Sequence, residues 1–151
     1  MTTAAVAAPI PFLRWSWQTS DGHRLVTVVA FLGVTATGVM ALAGLPPVDL
    51  HGPLHYLGIM DPLCGGTRAA RYTMRGEFAL AWKYNPLGIL AVTGAVAAAG
   101  RVVVGLLTRH WLTVAITWTP PRRRVVIGLI LAAAAVLEVR QQLLASLLTG
   151  P

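Results

Sequence analysis

Asp61, Cys64, His51 and His55 offer one oxygen, one sulfur and two nitrogens, a donor set of the kind that holds zinc tetrahedrally. Immediately after Cys64 come Gly65, Gly66, Thr67 and Arg68, with Arg71 one turn further on. That run puts a thiol, unpaired backbone amides, a hydroxyl and two guanidinium groups at the start of a helix, where an anion such as a phosphate or carboxylate is held by amides and charge together. Each feature has a plainer reading. His51 and His55 share one face only if a helix runs through Gly52-Pro53, which breaks it, so they read as solvated interfacial histidines and no metal or cofactor is expected. Cys64 is a candidate reactive thiol, its pKa lowered by the helix start and Arg68, yet an inert buried cysteine is the commoner case. Arg68 equally serves to lock the loop by pairing with Glu77, Glu138 or a carbonyl. A single cysteine excludes an internal disulfide.

These residues sit in a chain of 151 with 56% hydrophobic and 11% charged residues and a mean hydropathy of +0.67, far below the charge of a soluble domain. The composition reads as an all-α integral membrane protein. Three uncharged or nearly uncharged runs suit membrane-spanning helices, at about 25–45, 86–108 and 125–148. The first is bounded by His23-Arg24 and Pro46-Pro47, the second opens on Asn85-Pro86, and the third carries Glu138, Arg140, Gln141 and Gln142 before leucines resume. That polar break suggests a span whose end lies at the interface. Residues 1–24 read as a cytoplasmic tail, and 25–151 as one three-helix membrane domain.

Between the first two spans, residues 46–85 hold every acid except Asp21 and Glu138, together with Cys64, His51 and His55. From about Thr67 to Tyr84 the pattern predicts an amphipathic helix, with Ala70, Met74, Phe78 and Ala81 on one face and Arg68, Arg71 and Arg75 flanking it. Along the first span Ala30, Gly33, Thr37, Ala41 and Gly44 form a small-residue face, suited to close packing against the other spans or a partner. Arg101, Glu138 and Arg140 are costly in lipid, and each is expected to face protein: Glu138 and Arg140 toward Asp61, Arg68 and Arg71 in the loop, Arg101 snorkelling or meeting a foreign acid.

The net charge of +7 is gathered at the ends of spans, so it reads as membrane anchoring and not as a nucleic-acid surface. Arg14, Arg24, Arg109 and Arg122 to Arg124 outnumber Arg68, Arg71, Arg75 and Lys83 on the other side, which predicts a cytoplasmic N-terminus and an external C-terminus. Trp15, Trp17, Trp111 and Trp118 suit aromatic belts. A cleavable signal ending at Ala41-Leu42-Ala43 is the competing reading of the first span, but its apolar run is long for one.

Cys64-Gly65-Gly66-Thr67-Arg68-Ala69, Gly76-Glu77 and Asn85-Pro86-Leu87, in this order, resemble the bacterial membrane proteins grouped as domain of unknown function 2752. The resemblance covers residues 61–87 and implies a bacterial plasma membrane and a three-span layout. Asp61 stands where the family's motif has its first cysteine, so a paired-thiol site is closed to this chain alone.

No nucleophile, base and acid are brought together in sequence, so an enzyme is not expected. The leading expectation is a non-catalytic accessory or assembly subunit of a larger membrane complex, with lipids and other integral-membrane subunits as partners. The alternatives are a lipid-head-group binding or lipid-processing protein using the Cys64–Arg68 turn, and an oligomeric channel or transporter module.

Overall fold

The computed structural model describes residues 13–45 and 58–148; His51 and His55 lie outside them. In chain order the elements are β1 (Leu13–Gln18), α1 (Arg24–Ala43), α2 (Gly66–Met74), α3 (Phe78–Tyr84), α4 (Pro86–Thr108), β2 (Trp111–Ile116), α5 (Pro120–Leu143) and α6 (Ala145–Leu148). Three of these helices, α1, α4 and α5, are long and apolar enough to cross a membrane. The chain is therefore an integral membrane protein with three candidate spans, as its composition requires.

Each span starts where chemistry favours it. Asn85 accepts the Leu87 amide at 2.9 Å while Pro86 occupies the first helical position of α4, where a missing amide costs nothing. Pro120 and Pro121 open α5 in the same way, so the third span begins five residues before the uncharged run. The polar break does not end it. Helix α5 continues through Glu138, Arg140 and Gln141 to Leu143, and α6 then turns back under the loop.

On the small-residue face of α1, Ala30 is buried and Gly33 packs within the chain, whereas Gly44 has nothing within 4 Å of a Cβ position. Gly33 faces the Cβ of Ala95 on α4 at a distance that an added methyl would fill at 3.8 Å, and Gly38 faces Met74 of α2 in the same manner. On α4, Gly88 lies so close to α2 that a side chain would meet the Cβ of Ala69 at 2.6 Å and the amide nitrogen of Ala70 at 2.9 Å. Close backbone approach of this kind is how helices gain packing in lipid. The expected single amphipathic helix is instead two: Gly76, at φ 76°, turns the chain between α2 and α3, and the Arg75 guanidinium pairs with Glu77 at 2.7 Å across the bend.

Two strands depart from an all-helical expectation. β1 and β2 pair antiparallel, with Leu13 opposite Ile116 and Gln18 opposite Trp111, so part of the segment read as a tail is bound to the connection between α4 and α5. The ribbon is fastened by an ion pair. Arg101, about two turns inside α4 from Arg109, donates to Asp21 at 2.7 Å rather than snorkelling or awaiting a foreign acid. Asp21 also accepts from the His23 amide at 2.9 Å and the Thr27 hydroxyl at 2.6 Å, and Arg101 donates to the Leu112 carbonyl of β2. The Arg101 guanidinium covers the Trp111 ring at 5.6 Å from its centre.

Burial raises the Asp21 pKa, but the hydrogen bonds from Thr27, Arg101 and His23 and the Arg101 charge outweigh it and bring the value to about 2. A carboxyl depressed below its ordinary 3.8 stabilises the fold above that value and loses this contribution as pH falls toward 2. Asp21→Asn should thus lower stability by about 3 kcal/mol near neutral pH, by leaving Arg101 uncompensated. The deficit relative to the parent chain should shrink between pH 4 and 2. Thermal unfolding in mild detergent across pH measures both, and a deficit independent of pH would contradict the assignment.

Candidate functional site

The segment richest in chemistry folds as a turn whose backbone is consumed by structure. Asp61 directs its carboxylate to the Leu63 amide at 2.7 Å, its carbonyl accepts from the Cys64 amide at 3.0 Å, and the Leu63 carbonyl accepts from Gly66 at 2.8 Å. Asp61 therefore closes an Asx turn. Gly65 has φ 75°, and a side chain there would meet Leu148 at 2.7 Å and the Tyr84 carbonyl at 3.2 Å. Conformation and crowding both demand glycine at this position.

Two carboxamides hold the turn in place. Asn85 and Gln141 are both fully buried. Asn85 Nδ2 donates to the carbonyls of Pro62 and Cys64, each at 2.9 Å, and Gln141 Nε2 donates to Cys64 at 2.8 Å and to Tyr84 at 3.0 Å. The neighbours of Gln141 extend the clamp. Arg140 donates to the Trp82 carbonyl at 2.7 Å and the Lys83 carbonyl at 3.2 Å, at the C-terminal end of α3 where a cation is favoured. Gln142 donates to the Gly58 carbonyl and accepts the Met60 amide. The polar break in the third span is the point where α5 satisfies the carbonyls of the loop.

Inside this frame Cys64 is 5% exposed and packs with Met60 and Leu148, its sulfur 3.6 Å from the Met60 sulfur. Burial, and then the Asp61 charge, push its thiol pKa up, which outweighs the opposing pull of the Gly65 amide and Arg68. The neutral thiol is the favoured form. Thr67, Arg68 and Arg71 lie on α2, partly exposed, with the Arg68 guanidinium 5.6 Å from the centre of the Tyr84 ring, which stacks on Tyr72. No side chain caps α2; Gly65 occupies the cap position in a left-handed conformation. Arg75, not Arg68, takes Glu77.

Of the three intramembrane charges, Arg101 and Arg140 meet protein, though neither meets the groups expected. Glu138 stays exposed on α5, with no hydrogen bond or ion pair among the described residues. Asn85, Gln141, Gln142, Met60 and Asp21 were absent from the candidate residues. For Asn85, Gln141 and Gln142 a signal is present in the sequence: carboxamides in or beside apolar runs must find partners when buried. Among the described residues no cluster of three metal-ligating side chains occurs.

Residues 53–99 match the model of a family described as a protein of unknown function, DUF2752, the same family that the motifs resemble. The match extends from the segment before the turn through α2 and α3 into the first half of α4. No curated protein and no solved structure matches the chain.

With its thiol enclosed and neutral, Cys64 should react with a maleimide at pH 7 at least about tenfold more slowly than a free thiol. Gln141→Ala removes a donor from the Tyr84 carbonyl and one of the two donors to the Cys64 carbonyl, should cost about 2 kcal/mol, and should bring the rate up toward that of the unfolded chain. A native rate equal to that of a free thiol would show that the clamp does not enclose the sulfur.

Proposed function

We propose that this chain is a non-catalytic accessory or assembly subunit of a larger complex in a bacterial plasma membrane, offering α5 to other integral-membrane subunits. With the N-terminus cytoplasmic, the clamped turn lies on the outer side. The observation that carries the reading is the state of α5. Its C-terminal turns are clamped by Arg140, Gln141 and Gln142, yet most of its span is exposed, including Ile130, Leu131, Val136 and Val139. The partly covered positions Val126, Ala134 and Leu137 and the buried Gln141 fall on one face. Gly128, Ala132 and Ala135 lie on the other, a smooth stripe of the kind that membrane helices pack against.

Glu138 strengthens the argument. An acid on a membrane-spanning helix with no partner in the described chain calls for one outside it. Enclosure of Cys64 takes the most nucleophilic side chain out of play, which favours a structural over a catalytic role.

Lipid-head-group binding at Gly65, Gly66, Thr67, Arg68 and Arg71 is the second reading, and one observation favours it. Arg71 Nε is buried with no hydrogen-bond partner among the described residues, so the guanidinium has capacity left for an anion.

Purification of the tagged chain in mild detergent, with mass spectrometry of the proteins and lipids that elute, separates the two. A stoichiometric membrane partner is expected. Gly128 has nothing within 4 Å of the place a Cβ would occupy, so Gly128→Leu leaves the internal packing intact and should reduce partner recovery about tenfold. Glu138→Gln should weaken the same association. Elution alone, with an anionic lipid enriched in the parent and lost in Arg71→Gln, would replace the subunit reading by the lipid one.

A further inference from the structure

The β1–β2 ribbon has two unlike faces. The register sets Leu13, Trp15 and Trp17 against Ile116, Val114 and Leu112, so one face is apolar throughout. Arg14, Ser16 and Gln18, with Ala115, Thr113 and Trp111, form the other. The second face turns toward the helices: Trp111 fills the space above Gly105 of α4, and Gln18 and Thr113 crowd Gly22. The apolar face is left open, with Trp15 44%, Trp17 48% and Ile116 47% exposed.

Depth identifies what covers it. Leu112 accepts from Arg101 and Trp111 lies on Gly105, so β2 folds back alongside the last two turns of α4 instead of projecting beyond them. From Arg101 to Thr108 the helix rises roughly 10 Å, which places the ribbon at the level where acyl chains meet head groups. The backbone agrees. On the outer edge of β2 the Leu112 carbonyl accepts from Arg101 and the Val114 amide donates to His23 Nε2 at 3.3 Å, whereas no described strand pairs the outer edge of β1. An open edge is excluded from hydrocarbon but is solvated at the interface.

Charge identifies the kind of surface. Arg14, Arg24, Arg109, Arg122, Arg123 and Arg124 are exposed around this end, and the one acid there, Asp21, is committed to Arg101. We propose that the ribbon is a membrane-interface anchor, seating Leu13, Trp15, Trp17, Leu112, Val114 and Ile116 in the acyl boundary while the surrounding arginines bind anionic lipid head groups. This anchor draws only on the first turns of α5 and holds whether or not a subunit docks on the exposed face further along that helix.

Spin labels at Ile116→Cys and Trp17→Cys, in a full chain carrying Cys64→Ala, test the seating in vesicles of phosphatidylcholine with and without phosphatidylglycerol. With phosphatidylglycerol present, both labels should be at least about threefold more accessible to oxygen than to a water-soluble nickel chelate, and Arg14→Cys should show the reverse. Replacing Arg122, Arg123 and Arg124 by Gln should remove the phosphatidylglycerol dependence. Ile116→Cys keeps both tryptophans, so its result stands if Trp17→Cys disturbs the ribbon. Free access of the chelate to Ile116→Cys, dipolar broadening from a second copy, or identical seating without phosphatidylglycerol would each overturn the proposal.

Discussion

The carbonyl oxygen of Cys64 receives two carboxamide donors, Asn85 at 2.9 Å and Gln141 at 2.8 Å, and most of the structure on that side of the bundle follows from this convergence. A turn closed by Asp61 and Gly65 leaves carbonyls pointing inward, and inward here means away from water. Each unsatisfied carbonyl would cost about 1–3 kcal/mol. Asn85 meets the demand from the start of α4 and Gln141 from the end of α5, so two spans distant in sequence are tied to one turn. Because Asn85 also caps α4 through the Leu87 amide, the helix cannot shift its first turn without releasing the loop.

At the opposite end Arg101 performs the corresponding task with charge. It ties α4 to the segment before α1 through Asp21, and to β2 through the Leu112 carbonyl. An isolated arginine at this depth would be expensive, and a pair with additional hydrogen bonds is what makes it tolerable. Helix α4 is thus fixed at both ends by buried polar contacts, and along its length by the close approaches of Gly33 to Ala95 and of Gly88 to α2. Helix α5 is fixed at one end only.

Much of this architecture is legible in the sequence because lipid imposes strong rules. Three runs of some 20 apolar residues can do little but span. The Asn85-Pro86 start, the small face of α1 and the break after Leu137 were visible too. Long-range pairing was not. Nothing local in Trp15 or Val114 announces that they lie opposite each other, since alternation over six residues is weak and the partner strand is almost a hundred residues away. The destinations of Arg101 and Arg140 were hidden for the same reason. Their cost in lipid required partners, but the partners were Asp21 and two carbonyls of α3, which only the folded chain brings within reach.

The aspartate at position 61 has a physical meaning. Position 61 carries an acceptor that closes the turn through the Leu63 amide, and position 64 carries a sulfur packed against Met60 and Leu148. The negative charge at Asp61 opposes ionisation of Cys64, and burial opposes it further. Both effects act against thiolate chemistry, whereas both are compatible with a turn whose task is to be held still. What the turn presents outward is α2, with Arg68 on Tyr84 and Arg71 beside it. Any recognition at this site would therefore be carried by guanidinium groups standing on a rigid base, with the cysteine as part of that base.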